Sequence, residues 1–165
     1  MNNKVKILTK LSLVAAIYAV LTVITSYISY GGVQFRLAEV LVLLCFFNKK
    51  YIPSLVIGCA IANMFSPFGI YDVIFGTFAT LISVICMSKT KNMVLASVFP
   101  VIFNGIIIAI EILLFDPSVT ITFGSFISLA STIMLGEFVV VTILGVLIFK
   151  SLEKNEYFIE NVFNI

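Results

Sequence analysis

Several ionisable side chains stand inside or at the mouths of long apolar runs. Arg36 and Glu39 sit three residues apart in "QFRLAEVLVLL", on one face of a helix. Glu111 and Glu137 lie deep in "NGIIIAIEILLF" and "STIMLGEFVVV", and Asp72 opens a further apolar run after "SPFGIY". Asn63 and Asn104 add neutral polar groups. A charged carboxylate at bilayer depth costs about 3 kcal/mol on insertion scales, so it normally faces a cavity or a partner. An ionised carboxylate only accepts hydrogen bonds, and it can take two parallel ones from neighbouring donors. Glu39, Glu111 and Glu137 outnumber the one arginine, Arg36. A pocket built from them suits a cation, or a ligand rich in N–H donors such as a guanine-type edge.

Spacing sharpens this reading. Asn104 and Glu111 are seven residues apart, close to two helical turns, so they point the same way. Pro100 one turn earlier frees a backbone carbonyl, and Gly105 follows Asn104. Glu137 has no Lys or Arg near it in sequence, so its partner is another helix, a proton or a ligand. Ligand-free readings compete. Arg36 and Glu39 can neutralise each other, and Asp72 suits a helix N-terminus through the dipole. Tyr30, Phe35, Phe65, Phe68 and Tyr71 could stack a flat ring, or simply pack and anchor at the membrane interface.

The elements that must position these groups are membrane spans. The chain has 165 residues, 61% hydrophobic and 11% charged, with sixteen Phe and no Trp. Its mean hydropathy is +1.20. A soluble domain is nearer half apolar and a quarter charged. Polar breaks cut the chain into apolar segments at 9–30, 35–48, 51–66, 72–88, 93–115 and 124–149, with a tail at 150–165. The expected fold is all-α: one polytopic membrane domain of six transmembrane helices. The second and third segments are short for a span of about 20 residues, so four spans plus a re-entrant hairpin is the alternative. The first segment exceeds the roughly 7–15 apolar residues of a signal peptide and reads as a retained span. Within it, Ser12, Ala15, Ala16 and Ala19 form a small-residue strip that would admit a close neighbour. Ile159, Val162 and Phe163 among the tail's charges suggest an interfacial helix.

Six crossings would put Lys4, Lys6, Lys10, Lys49, Lys50, Lys89, Lys91, Lys150 and Lys154 on one side and Arg36 on the other. By the positive-inside rule, both termini would then be cytoplasmic. The outer loops would be 30–35, 67–71 and 116–123, with the Gly31-Gly32 turn in the first. The chain has no His, which removes His triads, His metal sites and the usual near-neutral proton relay. Cys45, Cys59 and Cys86 stand in separate apolar segments and read as small hydrophobes. No Gly-Lys pair occurs, hence no P-loop. Scattered lysines give no nucleic-acid patch. No cofactor or metal is expected, and neither is catalysis: Tyr71-Asp72 lacks the G-x-G-D partner of an intramembrane aspartyl protease.

In order along the chain, "QFRLAEVLVLL", "IGCAIANMF", "YDVIFGTFATL", "FNGIIIAIE" and "LGEFVVV" resemble the QueT family of queuosine-precursor transporters, over about residues 10–149. These are S components, the substrate-binding membrane subunits of energy-coupling factor transporters. The resemblance implies a site near the outer face of a bacterial cytoplasmic membrane, and a 7-deazaguanine substrate such as the aminomethyl compound, or queuine. It also implies a transmembrane coupling subunit and two ATPases as partners. Ala15 and Ala19 match the Ala-x-x-x-Ala strip that docks the coupling subunit in such proteins. For such a substrate, our expectation is that Glu137, Glu39 and Glu111 divide two tasks, accepting the guanine-edge N–H groups and pairing with the aminomethyl cation. Asn104 would serve the ring carbonyl, Arg36 would orient a carboxylate or that carbonyl, and Asn63 and Asp72 would complete the substrate-binding set. The same carboxylates would also serve an ion-coupled secondary transporter of a small cationic or heterocyclic solute. A structural membrane subunit without a ligand is disfavoured, since each buried acid carries an insertion cost.

Overall fold

The computed structural model describes residues 3–30 and 34–163, and every described element is helical. The Gly31-Gly32 turn lies outside the described residues. Six main helices follow the six apolar segments: α1 (Asn3–Ile24), α2 (Leu37–Phe47), α3 (Ile52–Asn63), α4 (Ile70–Met87), α5 (Met93–Phe115) and α6 (Phe123–Leu152). Among them α1, α4, α5 and α6 are long and apolar enough to cross a bilayer. The 12 residues of α3 rise only about 18 Å against roughly 30 Å of hydrocarbon. In α2 the first seven residues are 3₁₀, which stretches it to about 20 Å.

The helix ends carry their own signals. Pro53 sits in the first turn of α3, where its missing N–H costs nothing. Gly69 has φ +55°, which opens α4 without strain. The Asn92 side chain accepts from the N–H groups of Val94 and Leu95, and the Thr122 hydroxyl accepts from Ser125 N–H. In the loop before α6, Asp116 accepts from the Ser118 hydroxyl and N–H, which holds its exposed carboxyl below the usual range.

Contacts between neighbours fix the running directions. Ala15 on α1 meets Gly58 on α3, and the Tyr30 hydroxyl beyond α1 donates to Ala62 O near the end of α3, so these two are parallel. Asn63 reaches back to Asp72 at the start of α4, and Ser97 on α5 meets Thr142 on α6, so both pairs are antiparallel. Tyr18 on α1 donates to Glu39 on α2, while Phe35 N–H donates to Ile28 O, which turns α2 back along α1. All nine lysines therefore gather at one end of the bundle, and Arg36 lies at the other. At the lysine end the tail segment 156–163 folds back onto the bundle. The carbonyls of Asn161, Val162 and Phe163 accept from Lys10, Tyr51 and Asn48, and the Phe163 ring stacks on Phe47 at 3.9 Å.

The interior is layered by polarity. Val42, Leu43, Tyr51, Leu55, Met87, Ala96 and Phe149 pack an apolar core towards the lysine end. The Arg36 end holds buried charge, while Leu13, Ile57, Phe78, Leu114 and Leu135 point outward, each more than half exposed. Polar groups inside and large apolar groups outside reverse the arrangement of a water-soluble protein.

Alternating helix direction and one-sided lysines predict a fixed membrane orientation. In a chain with its cysteines replaced by alanine, Thr120→Cys should react with an impermeant maleimide on intact cells. Lys91→Cys should react only after permeabilisation, and the opposite pattern would reject this orientation.

Candidate functional site

Five helices bring the polar groups together. The segment after residue 33 runs against α6, because Gly136 offers no side chain where the Gln34 backbone crosses. That approach carries the segment bearing Arg36 and Glu39 along α6 from the level of Glu137, and further on Leu43 meets Gly145. Arg36 is 4% exposed and Glu39 fully buried. Their closest N···O approach is 3.9 Å, and the guanidinium also rides 5.5 Å from the Tyr30 ring centre.

Each of these groups is held by part of its bonding capacity. Tyr18, wholly buried, donates its hydroxyl to Glu39 Oε1. Asn104 Nδ2 donates to Glu137 Oε1 at 2.8 Å, joining α5 to α6. Asn63 Nδ2 donates to the Asp72 carbonyl at 2.9 Å and lies 3.3 Å from Cys59 Sγ, joining α3 to α4. The close contact of Asn63 with Gly76 and of Met134 with Gly105 keeps these helices tight around the site.

The other half of that capacity is open. Among the described residues, Arg36 Nε and Nη2, Glu39 Oε2, Glu137 Oε2, Asn104 Oδ1, Asn63 Oδ1, Thr77 Oγ1 and both Glu111 oxygens are buried without a hydrogen-bond partner. A buried polar atom left unpaired costs about 1–3 kcal/mol, more if charged. Unpartnered buried atoms on five helices are more than a helical interior ordinarily leaves, and each calls for an explanation.

Every residue expected at the site is buried: Arg36, Glu39, Asn63, Asp72, Asn104, Glu111 and Glu137. Of the aromatics, Tyr30 lies under Arg36 and Tyr71 stacks on Phe115 at 3.9 Å, whereas Phe65 is largely exposed. Ala15 and Ala19 stand elsewhere. They pack inward, Ala15 against Gly58 on α3 and at the edge of an apolar surface groove of about 350 Å³ between α1 and α3, with Ser12 and Ala16 more exposed beside it. Tyr18 and Thr77 were not singled out in the sequence, because a tyrosine or threonine in an apolar run looks like any helix packing residue.

A helical bundle with an apolar exterior and a donor-and-acceptor cluster in its interior has the make-up of an integral membrane protein. Residues 8–154 match the family described as QueT transporter, and the chain belongs to that family. It is 45% identical over 83 residues to the "Queuosine precursor transporter QueT" of Lactococcus lactis subsp. cremoris (strain MG1363), a match covering 49% of this chain and 48% of that protein. The chain is therefore aligned with about half the length of that curated relative. No solved structure matches it.

The close crossing at Gly136 yields a test of sign. An alanine in a helix ordinarily stabilises relative to glycine by about 0.5–1 kcal/mol. Gly136→Ala should instead destabilise by about 1–3 kcal/mol, because its methyl meets the Gln34 backbone. Gly124→Ala, with only Thr122 Oγ1 at 3.8 Å, should be neutral or stabilising. Unfolding in detergent checks both.

Proposed function

We propose that this chain is the substrate-binding S component of an energy-coupling factor transporter, importing a queuosine precursor of the 7-deazaguanine class across a bacterial plasma membrane. The observation that carries this reading is the set of buried, unpartnered donors and acceptors around Arg36, Glu39, Asn104, Glu111 and Glu137. Family membership supports a transporter, and the printed name of the Lactococcus relative supports a queuosine precursor. The motif resemblance described above supports the S-component role, with energy supplied by separate ATPases through a coupling subunit.

In this reading all six helices cross, with the termini and lysines cytoplasmic. The shortness of α2 and α3 is made up by connecting backbone that stays within the protein. The site then opens outward, near Arg36. The ligand's ring edge and its substituent supply N–H donors to the carboxylates, and its carbonyl meets Arg36 Nη2 or Nε. Asn63 and Asp72 close the wall on the α3–α4 side. Ala15 and Ala19 are themselves packed inward, and the groove on α1 that Ala15 borders, where Ser12 and Ala16 are exposed, is the face we assign to the coupling subunit.

Transport assays decide the energy source. Vesicles carrying this chain with a coupling subunit and two ATPases should accumulate labelled 7-deazaguanine only with ATP. Accumulation by this chain alone, driven by a proton or sodium gradient, would overturn the S-component reading in favour of an ion-coupled transporter.

A further inference from the structure

The unpartnered atoms fall into two chemically distinct sets. Around Arg36, Glu39, Glu137 and Asn104 the open positions are mixed: donors at Arg36 Nε and Nη2, acceptors at Glu39 Oε2, Glu137 Oε2 and Asn104 Oδ1. That set matches the edge of a flat heterocycle bearing both N–H groups and a carbonyl. Glu39 and Glu137 are each held by one oxygen, through Tyr18 and Asn104, so each presents a single fixed acceptor.

The Asp72 side of the cluster is different. Glu111 is fully buried with both oxygens open, and Asp72 is 3% exposed. Asn63, also fully buried, spends its two-hydrogen amide on Asp72 O and Cys59 Sγ, and its Oδ1 remains open. The open atoms of Glu111 and Asn63 are all acceptors, and the open α4 hydroxyl of Thr77 can accept as well as donate. Asp72 sits in the first turn of α4, where the helix dipole favours an anion, whereas Glu111 lies near the C-terminal end of α5 without that help. The stack of Tyr71 on Phe115 ties those two helix ends together beside the acids. Buried acceptors left without a donor, such as the Glu111 oxygens and Asn63 Oδ1, are met by a proton or by a cation.

We propose that Asp72, Glu111 and Asn63 form a separate cation subsite that takes a primary ammonium group on the ligand, and that the Arg36, Glu39, Asn104 and Glu137 subset takes the ring. The inference rests on the 7-deazaguanine reading above and deepens it. An ammonium carries three donors, enough to meet a Glu111 oxygen, an Asp72 oxygen and Asn63 Oδ1 together. Selectivity for an aminomethylated ring over the bare ring then resides on the α3–α4–α5 side, and recognition of the ring on the α2–α6 side.

Equilibrium binding of two compounds to the purified chain tests this: 7-aminomethyl-7-deazaguanine and unsubstituted 7-deazaguanine. The unaltered protein should favour the aminomethyl compound by about tenfold or more, the order expected for a charge-assisted hydrogen bond. Glu111→Gln, and separately Asp72→Asn, should collapse that ratio towards one. Glu137→Gln should weaken both compounds and leave the ratio standing. Both substitutions in the cation subsite are near-isosteric, and the two together keep the test open if one protein is unstable. A ratio unmoved by either, or lost only in Glu137→Gln, would overturn the subsite assignment while leaving the 7-deazaguanine reading intact. Failure of the unaltered protein to bind either compound would bring down that reading itself, and the subsite with it.

Discussion

Carboxyl groups within helices whose outer faces are apolar are the constraint on which the rest of this structure depends. Each must be bonded, since water is not at hand to solvate it. The fold meets half of the requirement internally. Tyr18 fixes Glu39 and Asn104 fixes Glu137, while Asn63 bridges α3 and α4. Those bonds order the side chains and leave further oxygens of the same groups unused. In the proposed reading such a cluster is ordered before a ligand arrives, and ordering in advance lowers the entropic cost of binding.

Holding that cluster requires close backbones, and the chain uses small residues to get them. Gly58 lies against α1, Gly76 against Asn63, Gly105 against Met134, and Gly136 against the Gln34 backbone. Hydrocarbon gives little drive for helices to associate, so association depends on close packing and on hydrogen bonds of the kind just described. The apolar core towards the lysine end supplies the rest. It is sealed below by the tail, whose final carbonyls are capped by Lys10, Tyr51 and Asn48 and whose Phe163 ring stacks on Phe47. Beside Glu137, α6 passes into a π-helical stretch from Phe138 to Gly145, a geometry often found at functional positions.

Much of this was legible beforehand. The apolar segments 72–88 and 93–115 correspond to α4 and α5 almost residue for residue, because charges and turn residues bound them sharply. Burial of the acids inside the bundle was legible because a charge in an apolar run has few places to go. Other features were hidden for physical reasons. The 3₁₀ winding of Leu37–Leu43 and the π winding of Phe138–Gly145 are set by tertiary contacts, since Leu and Val runs favour neither. The role of Tyr18 depends on which way one face of α1 points, and a helix that is apolar all round gives no period to read. The tail looked amphipathic, yet its docking depends on donors at Lys10, Asn48 and Tyr51, far away in sequence.

The central claim is that the open oxygens of Glu39, Glu111 and Glu137 exist to be met by a small donor-bearing solute. Infrared difference spectroscopy of the purified protein, with its glutamates carbon-13 labelled, observes those groups directly. Addition of a 7-deazaguanine should produce glutamate carboxyl bands that shift and that saturate with ligand concentration. A difference spectrum showing the ligand's own bands saturating, with the glutamate carboxyl region flat, would contradict the account.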